Sequence, residues 1–241
     1  MKKRWCQQAV RRDDENRRRV RLAKDRFDVG LLTADPAVIE FMTEDVGLGD
    51  FEVLPITKGV TQYRFDVDGS VVKVNIVPAL TATVRSGYSG IVVADEMAET
   101  ARTLTGPDGI EVMVAPVGHR GVGQLGVRLA IPDLARAQAY FGETLGWEVV
   151  DATARLGASV VLLEPRADAP VDVPMTVCGW TYLTAQIWEC DVETRAALSR
   201  GATLTQAPRT MGETARFSMI SDPWGNQLEL SQRASLTGPV A

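Results

Sequence analysis

The stretch Leu125-Gly-Val-Arg-Leu-Ala-Ile-Pro-Asp133-Leu-Ala-Arg-Ala-Gln-Ala-Tyr-Phe141 changes its period at Asp133. Before it, a β-rich run ends at a proline. After it, apolar residues recur at helical spacing, at Leu134, Ala137, Tyr140 and Phe141. Asp133 can accept from the free N–H groups of the helix it precedes, and Gly146 supplies a left-handed stop. The same grammar stands earlier, in Phe27-Asp-Val-Gly-Leu-Leu-Thr-Ala-Asp35-Pro36-Ala-Val-Ile-Glu-Phe-Met42. There Pro36 takes the first helical position, where its missing N–H costs nothing, and Gly47 is the stop.

Each unit then repeats strand and helix. Ile91-Val-Val-Ala-Asp95 predicts a helix over Met97–Leu104 ending at Gly106, and Ile187-Trp-Glu-Cys-Asp191 predicts one from Val192 to Arg200 ending at Gly201. The two aspartates of a unit are 60 residues apart in the first and 58 in the second. Between them is room for hairpins. Asp66-Val-Asp-Gly69-Ser is a tight-turn signal, and its counterpart runs from Ala152 to Gly157. The expected organisation is a basic extension (1–26), a first module (27–115), a linker (116–124), a second module (125–232) and a tail (233–241).

Composition narrows the class. A chain of 241 residues, 45% hydrophobic and 24% charged, has the make-up of a soluble globular protein. No apolar run reaches the roughly 18 residues that cross a bilayer. The start lacks a secretory pattern, and three cysteines without a Cys-x-x-Cys pair suit a reducing cytoplasm, the expected location. Residues 1–26 hold eleven Lys or Arg against four acidic residues, a net +7, so the remainder carries −12 of the total −5. An acidic body does not favour nucleic acid. The expected partner is a small molecule, with neither nucleic acid nor membrane, and the chain a monomer or homodimer.

The second unit resembles the vicinal-oxygen-chelate superfamily of glyoxalases, bleomycin-resistance proteins and ring-cleaving dioxygenases. The resemblance rests on Val127–Phe141, on Leu145-Gly-Trp147-Glu, and on Phe217-Ser-Met-Ile-Ser-Asp222-Pro-Trp-Gly225-Asn226-Gln-Leu-Glu229-Leu230. The last is similar to that family's Asp-Pro-x-Gly-Asn turn, followed by a strand with a glutamate. The first unit matches more weakly, at Asp35 and at Pro107-Asp-Gly-Ile-Glu111. The resemblance implies an α+β fold of two tandem βαβββ modules pairing into a curled mixed sheet, with a concave central cavity and helices outside. In Gln227-Leu-Glu-Leu, alternation sets Leu228 and Leu230 on one face and Glu229 on the other, free to point into that cup.

The family's metal ligands carry over poorly. Gly126 stands where its histidine falls and Thr184 near its second ligand position. The chain has one histidine, whereas a ferrous facial triad needs two, so iron-dependent ring cleavage is disfavoured. The glyoxalase arrangement would draw on Asp28, Glu111, Gly126 and Glu229, of which the three carboxylates can hold a divalent cation (Mg, Mn or Zn). Without one, Glu229 suits a general base.

Other signals carry less. Gly121-Val-Gly123-Gln-Leu-Gly126 spells the dinucleotide fingerprint but precedes a strand where that motif needs a helix, so it reads as a flexible linker. His119 lies in the same linker, exposed or swung over the cup as a base. Trp180 and Trp188 are candidate aromatic walls, otherwise core. Gln206–Glu213 has the chemistry of a lid loop, with Arg209 able to meet an anionic or polar substrate. Two functions follow from the resemblance. One is an enzyme, a glyoxalase-like lyase, isomerase or epimerase acting on a small oxygenated molecule. The other is a non-catalytic protein of the bleomycin-resistance type, sequestering an aromatic or cationic ligand.

Overall fold

The computed structural model describes residues 20–240. The basic extension up to residue 19, with Cys6, lies outside the described residues. Among the described residues fifteen strands form two sheets. The eight-stranded sheet takes β1 (Leu22–Thr33), β2 (Phe51–Thr57), β3 (Val60–Val67) and β4 (Ser70–Ile76) from the first unit. From the second it takes β12 (Gly179–Ile187), β13 (Thr203–Met211), β14 (Ala215–Ser221) and β15 (Gln227–Arg233). Its order is β13-β14-β15-β12-β1-β4-β3-β2. The seven-stranded sheet holds β5 (Tyr88–Asp95), β6 (Arg102–Thr105), β7 (Glu111–Pro116), β8 (Leu125–Ile131), β9 (Glu148–Val150), β10 (Thr153–Leu156) and β11 (Ser159–Pro165). Its order is β6-β7-β5-β8-β11-β10-β9. Each sheet is therefore shared by both halves of the chain, which meet where β1 pairs antiparallel with β12 and β5 with β8.

The helices form where the period changed. α1 (Val38–Glu40) continues as a π-helical turn over Phe41–Asp45, and α2 (Leu134–Ala139) as one over Tyr140–Thr144. The Asp133 carboxylate accepts from the Arg136 N–H at 3.0 Å, and Asp35 from the Ala37 N–H at 2.9 Å, which satisfies N-terminal donors. Gly47 and Gly146 end these helices at φ +81° and +71°. α3 spans Cys190–Ser199, so Asp191 lies inside its first turn, paired with Arg216, while Glu189 is the capping residue. A last turn, α4, spans Ala234–Thr237.

Alternation then builds the core. Phe27, Val29 and Leu31 of β1, Val72 and Val74 of β4, Leu183 and Ala185 of β12, and Leu228 and Leu230 of β15 enter one buried cluster. The odd-numbered residues of β8 and the residues Ile91, Val112, Val161 and Leu163 of the other sheet join it, with Met42, Phe141 and Trp147 from the helical connections. Among the described residues no helix is long and apolar enough to cross a membrane.

Three expectations change. No helix forms over Met97–Leu104: Asp95 caps only a turn, accepting from Met97 N–H at 2.8 Å, and Arg102–Thr105 pairs with β7 as β6. Its β-branched threonines fit a pleated edge better than a short helix. β1 begins at Leu22, so the strand takes in residues assigned above to the basic extension. The segment expected to be a lid is mostly strand β13, paired with β14 from Thr203 to Met211, and shifted in register on either side of Gln206. Pro208 is tolerated there because β13 is an edge strand.

Candidate functional site

The eight-stranded sheet is curled. Leu54 and Ile56 of edge strand β2 line the same cavity, about 170 Å³, as Arg209 and Met211 of the opposite edge strand β13. Its floor is the face that the core does not use. Alternation places Asp28 and Gly30 of β1, Lys73 and Asn75 of β4, Tyr182 and Thr184 of β12, and Glu229 and Ser231 of β15 on that face. Register brings the key residues together: Asp28 stands opposite Thr184, Thr184 opposite Glu229, and Gly30 opposite Lys73.

Lys73 is the centre of the floor. Its residue is 4% exposed, its ammonium donates to Thr184 Oγ1 at 2.7 Å, and it stands 3.9 Å from both Asp28 Oδ2 and Glu229 Oε1. It also lies 5.6 Å from the centroid of the Tyr182 ring. Burial pushes the lysine below its ordinary pKa, and the Glu229 and Asp28 carboxylates pull it back. Asp28 is buried and held from behind, accepting from Lys24 Nζ at 2.6 Å, Gln186 Nε2 at 2.9 Å and the Val71 N–H at 3.0 Å. Burial alone would raise its pKa. The charges of Lys73 and Lys24, with the side-chain hydrogen bonds, outweigh burial and hold it low. Glu229 is the carboxylate open to the cavity, its side chain 17% exposed.

A polar wall continues from this centre. Gln62 Nε2 donates to Asn75 Oδ1 at 2.8 Å, and Asn75 Nδ2 donates to the Leu31 carbonyl at 3.0 Å and lies 3.4 Å from the Tyr182 hydroxyl. Burial, followed by the charge of Glu229, raises the Tyr182 pKa, so this phenol stays a protonated donor. The ring needs Gly30 opposite it: a Cβ there would lie 2.2 Å from Tyr182 Cε1.

The carboxylates expected to share a metal do not converge. Asp28 and Glu229 flank Lys73, but Glu111 lies in the other sheet, its Oε2 2.9 Å from Arg128 Nη1. Among the described residues no group of three or more His, Cys, Asp or Glu side chains is placed to hold a metal ion. A divalent cation between Asp28 and Glu229 would have to stand beside or displace an ammonium of like charge, so these residues do not fit one.

The other expected site residues scatter. Thr184 is on the floor and fully buried, and Arg209 lines the cavity with its guanidinium 4.9 Å from the Phe217 centroid. Trp180 packs between the sheets, its Nε1 donating to the Glu111 carbonyl at 3.1 Å. Trp188 is 43% exposed just past the end of β12 and does not line the cup. His119 sits in a short 3-10 turn between β7 and β8, away from the cup lining. The glycine-rich run does precede strand β8. At Gly126 a Cβ would meet Val122 Cγ2 at 2.6 Å, because Val122 packs with Val92, Ala115, Val160 and Leu162 over that sheet's corresponding face.

A larger hollow of about 310 Å³ lies beside Trp180, but its polar groups are engaged. Ser86 donates to the Trp180 carbonyl, Ser89 to the Arg128 carbonyl, Arg166 pairs with Asp168, and Glu111 pairs with Arg128. The smaller cup, with an open carboxylate beside a buried ammonium, is the better candidate.

Sequence reading missed Lys73, Asn75, Gln62, Arg64 and Arg233. The signal was present in Val71-Val-Lys-Val-Asn-Ile76, where Lys73 and Asn75 alternate with buried valines on the cup face.

Residues 122–230 match the model of the Glyoxalase/Bleomycin resistance protein/Dioxygenase superfamily. This segment belongs to that superfamily. The whole chain shares its fold with glyoxalase I from Zea mays, aligning at 13% identity and TM-score 0.67 and covering 91% of this chain and 95% of that one. The cppA protein from Streptococcus pneumoniae aligns at 12% identity and TM-score 0.51, covering 86% and 98%. Among curated proteins none matches significantly. At these identities the structural likeness speaks for the fold alone.

Proposed function

We propose that this superfamily member is a metal-independent, glyoxalase-like enzyme of lyase, isomerase or epimerase type, working on a small oxygenated molecule in the cup of the eight-stranded sheet. One observation carries the reading: the cavity-facing carboxylate of Glu229 lies 3.9 Å from the Lys73 ammonium. A base and a cation so placed address two neighbouring atoms of one substrate. Glu229 takes a proton from the carbon next to a carbonyl, while Lys73 stabilises the negative charge that develops on the carbonyl oxygen. The protonated Tyr182 hydroxyl is a second donor at the same wall. Asp28, closed off by Lys24 and Gln186, keeps Lys73 charged and in place without touching substrate. Sequestration of an aromatic cation draws no support from this lining, which among the described residues holds four cationic side chains and no tryptophan.

The test is solvent exchange. The protein is incubated in D2O with a panel of 2-oxo and 2-hydroxy acids, and loss of carbon-bound protons beside the oxygenated carbon is followed by 1H NMR. Wild type should exchange one panel member in the presence of EDTA, and Glu229→Gln should be slower by about a hundredfold or more. Equal exchange in E229Q, or exchange abolished by the chelator, would overturn the assignment.

A further inference from the structure

The cup carries more positive charge than a proton-transfer site needs. Among the described residues four cationic side chains line it, Lys73, Arg64, Arg209 and Arg233, against the one carboxylate Glu229. This is opposite to the chain outside its first 26 residues, which is acidic by twelve charges. The cations also differ in their partners. Lys73 is engaged on the floor, and Arg64 meets Glu52 at 3.3 Å through a carboxylate whose side chain is 62% exposed, with Arg64 Nη1 donating to Gln62 Oε1 at 2.9 Å. Among the described residues Arg209 meets the Phe217 ring and no carboxylate, and Arg233 likewise pairs with no carboxylate. Burial pushes the Arg64 pKa down, and so does the positive charge of Arg233. Asp28 and Glu52 offset this only in part, and an anion bound among guanidiniums that share one cavity relieves their mutual repulsion.

We infer that the ligand of this cup is a small organic anion whose carboxylate or phosphoryl group is held by Arg233, Arg209 and Arg64, with its oxygenated carbon turned toward Lys73 and Glu229. The inference deepens the proposed function and rests on the same cup being the working site. Size agrees with it. A cavity of about 170 Å³ is smaller than the roughly 300 Å³ at which pockets for drug-sized ligands begin. Carboxylate and phosphoryl oxygens share the chemistry that planar guanidiniums recognise, so both sources belong in the test.

Isothermal titration calorimetry at low salt, where screening is weakest, would use the full chain with malonate, methylphosphonate and the neutral malonamide. Wild type should bind at least one of the two anions at millimolar concentration or below, and malonamide at least about tenfold more weakly. The tighter anion identifies the group. Arg233→Gln should weaken that anion by about tenfold or more while leaving the neutral probe unchanged. Arg209→Gln, on an exposed edge strand, tests the same point without risk to the core. E229Q removes the base and leaves the guanidiniums, so it should still bind the anion. Anion binding without deuterium exchange would sink the proposed chemistry alone. Malonamide binding as tightly as either anion, wild-type affinity in both arginine variants, or no binding of either anion would overturn the inference itself.

Discussion

Replacing Lys73 by methionine keeps the length of the side chain and removes the charge at the centre of the cup. Lys73 is 4% exposed and Asp28 1%, so the interaction is lost in a poorly solvated place. Removing one partner of a buried pair costs about 3–5 kcal/mol when the other is left uncompensated. Here the compensation is partial. Asp28 keeps Lys24, Gln186 and the Val71 N–H, whereas Thr184 loses its donor and Glu229 an ammonium at 3.9 Å. The expected loss is therefore about 2–3 kcal/mol, a fall in Tm of roughly 4–12 °C for a domain of this size. The effect has a pH signature. Asp28 has a folded pKa below its unfolded value, so its contribution is present above the unfolded carboxylate range and lost as pH falls through the folded value. Without Lys73 its pKa rises, and the gap between wild type and variant should close as pH falls below the ordinary carboxylate range and through the lowered folded pKa of Asp28. Urea unfolding followed by circular dichroism between neutral and acidic pH measures this. A K73M protein within about 0.5 kcal/mol of wild type at pH 7 would refute the reasoning, as would a gap that does not change with pH.

Two further substitutions test how the site is positioned. Gly30→Ala places a Cβ 2.2 Å from Tyr182 Cε1, so the ring must move into the cavity. Malonate affinity in calorimetry should drop about tenfold or more, with a Tm loss of 1–3 kcal/mol equivalent, about that of other overpacking changes; unchanged affinity would contradict the wall as described. Asp222 accepts from the Trp224 and Asn226 N–H groups and from Asn226 Nδ2, while Asn226 Oδ1 accepts from the Gly87 N–H at 2.6 Å. Asp222→Asn gives the Asn226 amide a donor where it needs an acceptor, and should cost about 1–3 kcal/mol in urea unfolding. A neutral result would mean that this turn does not fasten β15 to the other sheet.

Much of the fold was legible because it rests on period changes and turn chemistry, which are local. Asp35, Asp133, Gly47 and Gly146 announced their helices, and Asp222–Asn226 its hairpin. The failed helix at Met97–Leu104 shows the limit, since a cap-like aspartate and four loosely spaced apolar residues were outweighed by pairing with β7, invisible in the local sequence. The site was legible only where alternation on one strand sufficed, as for Glu229. Its partners come from strands 45 to 201 residues away (Thr184 and Asp28), and only register assembles them. Glu111 went the other way: similar in kind to Glu229, it opens strand β7 in the other sheet and pairs with Arg128. Lys73 was overlooked because a lysine in a strand ordinarily faces solvent.

The most direct test is a divalent-cation titration of EDTA-treated wild-type protein, with Mg, Mn and Zn in turn, by isothermal titration calorimetry. The predicted result is no stoichiometric binding at the cup, because the ammonium of Lys73 already stands between Asp28 and Glu229. One equivalent of metal bound by wild type and lost in E229Q would contradict it.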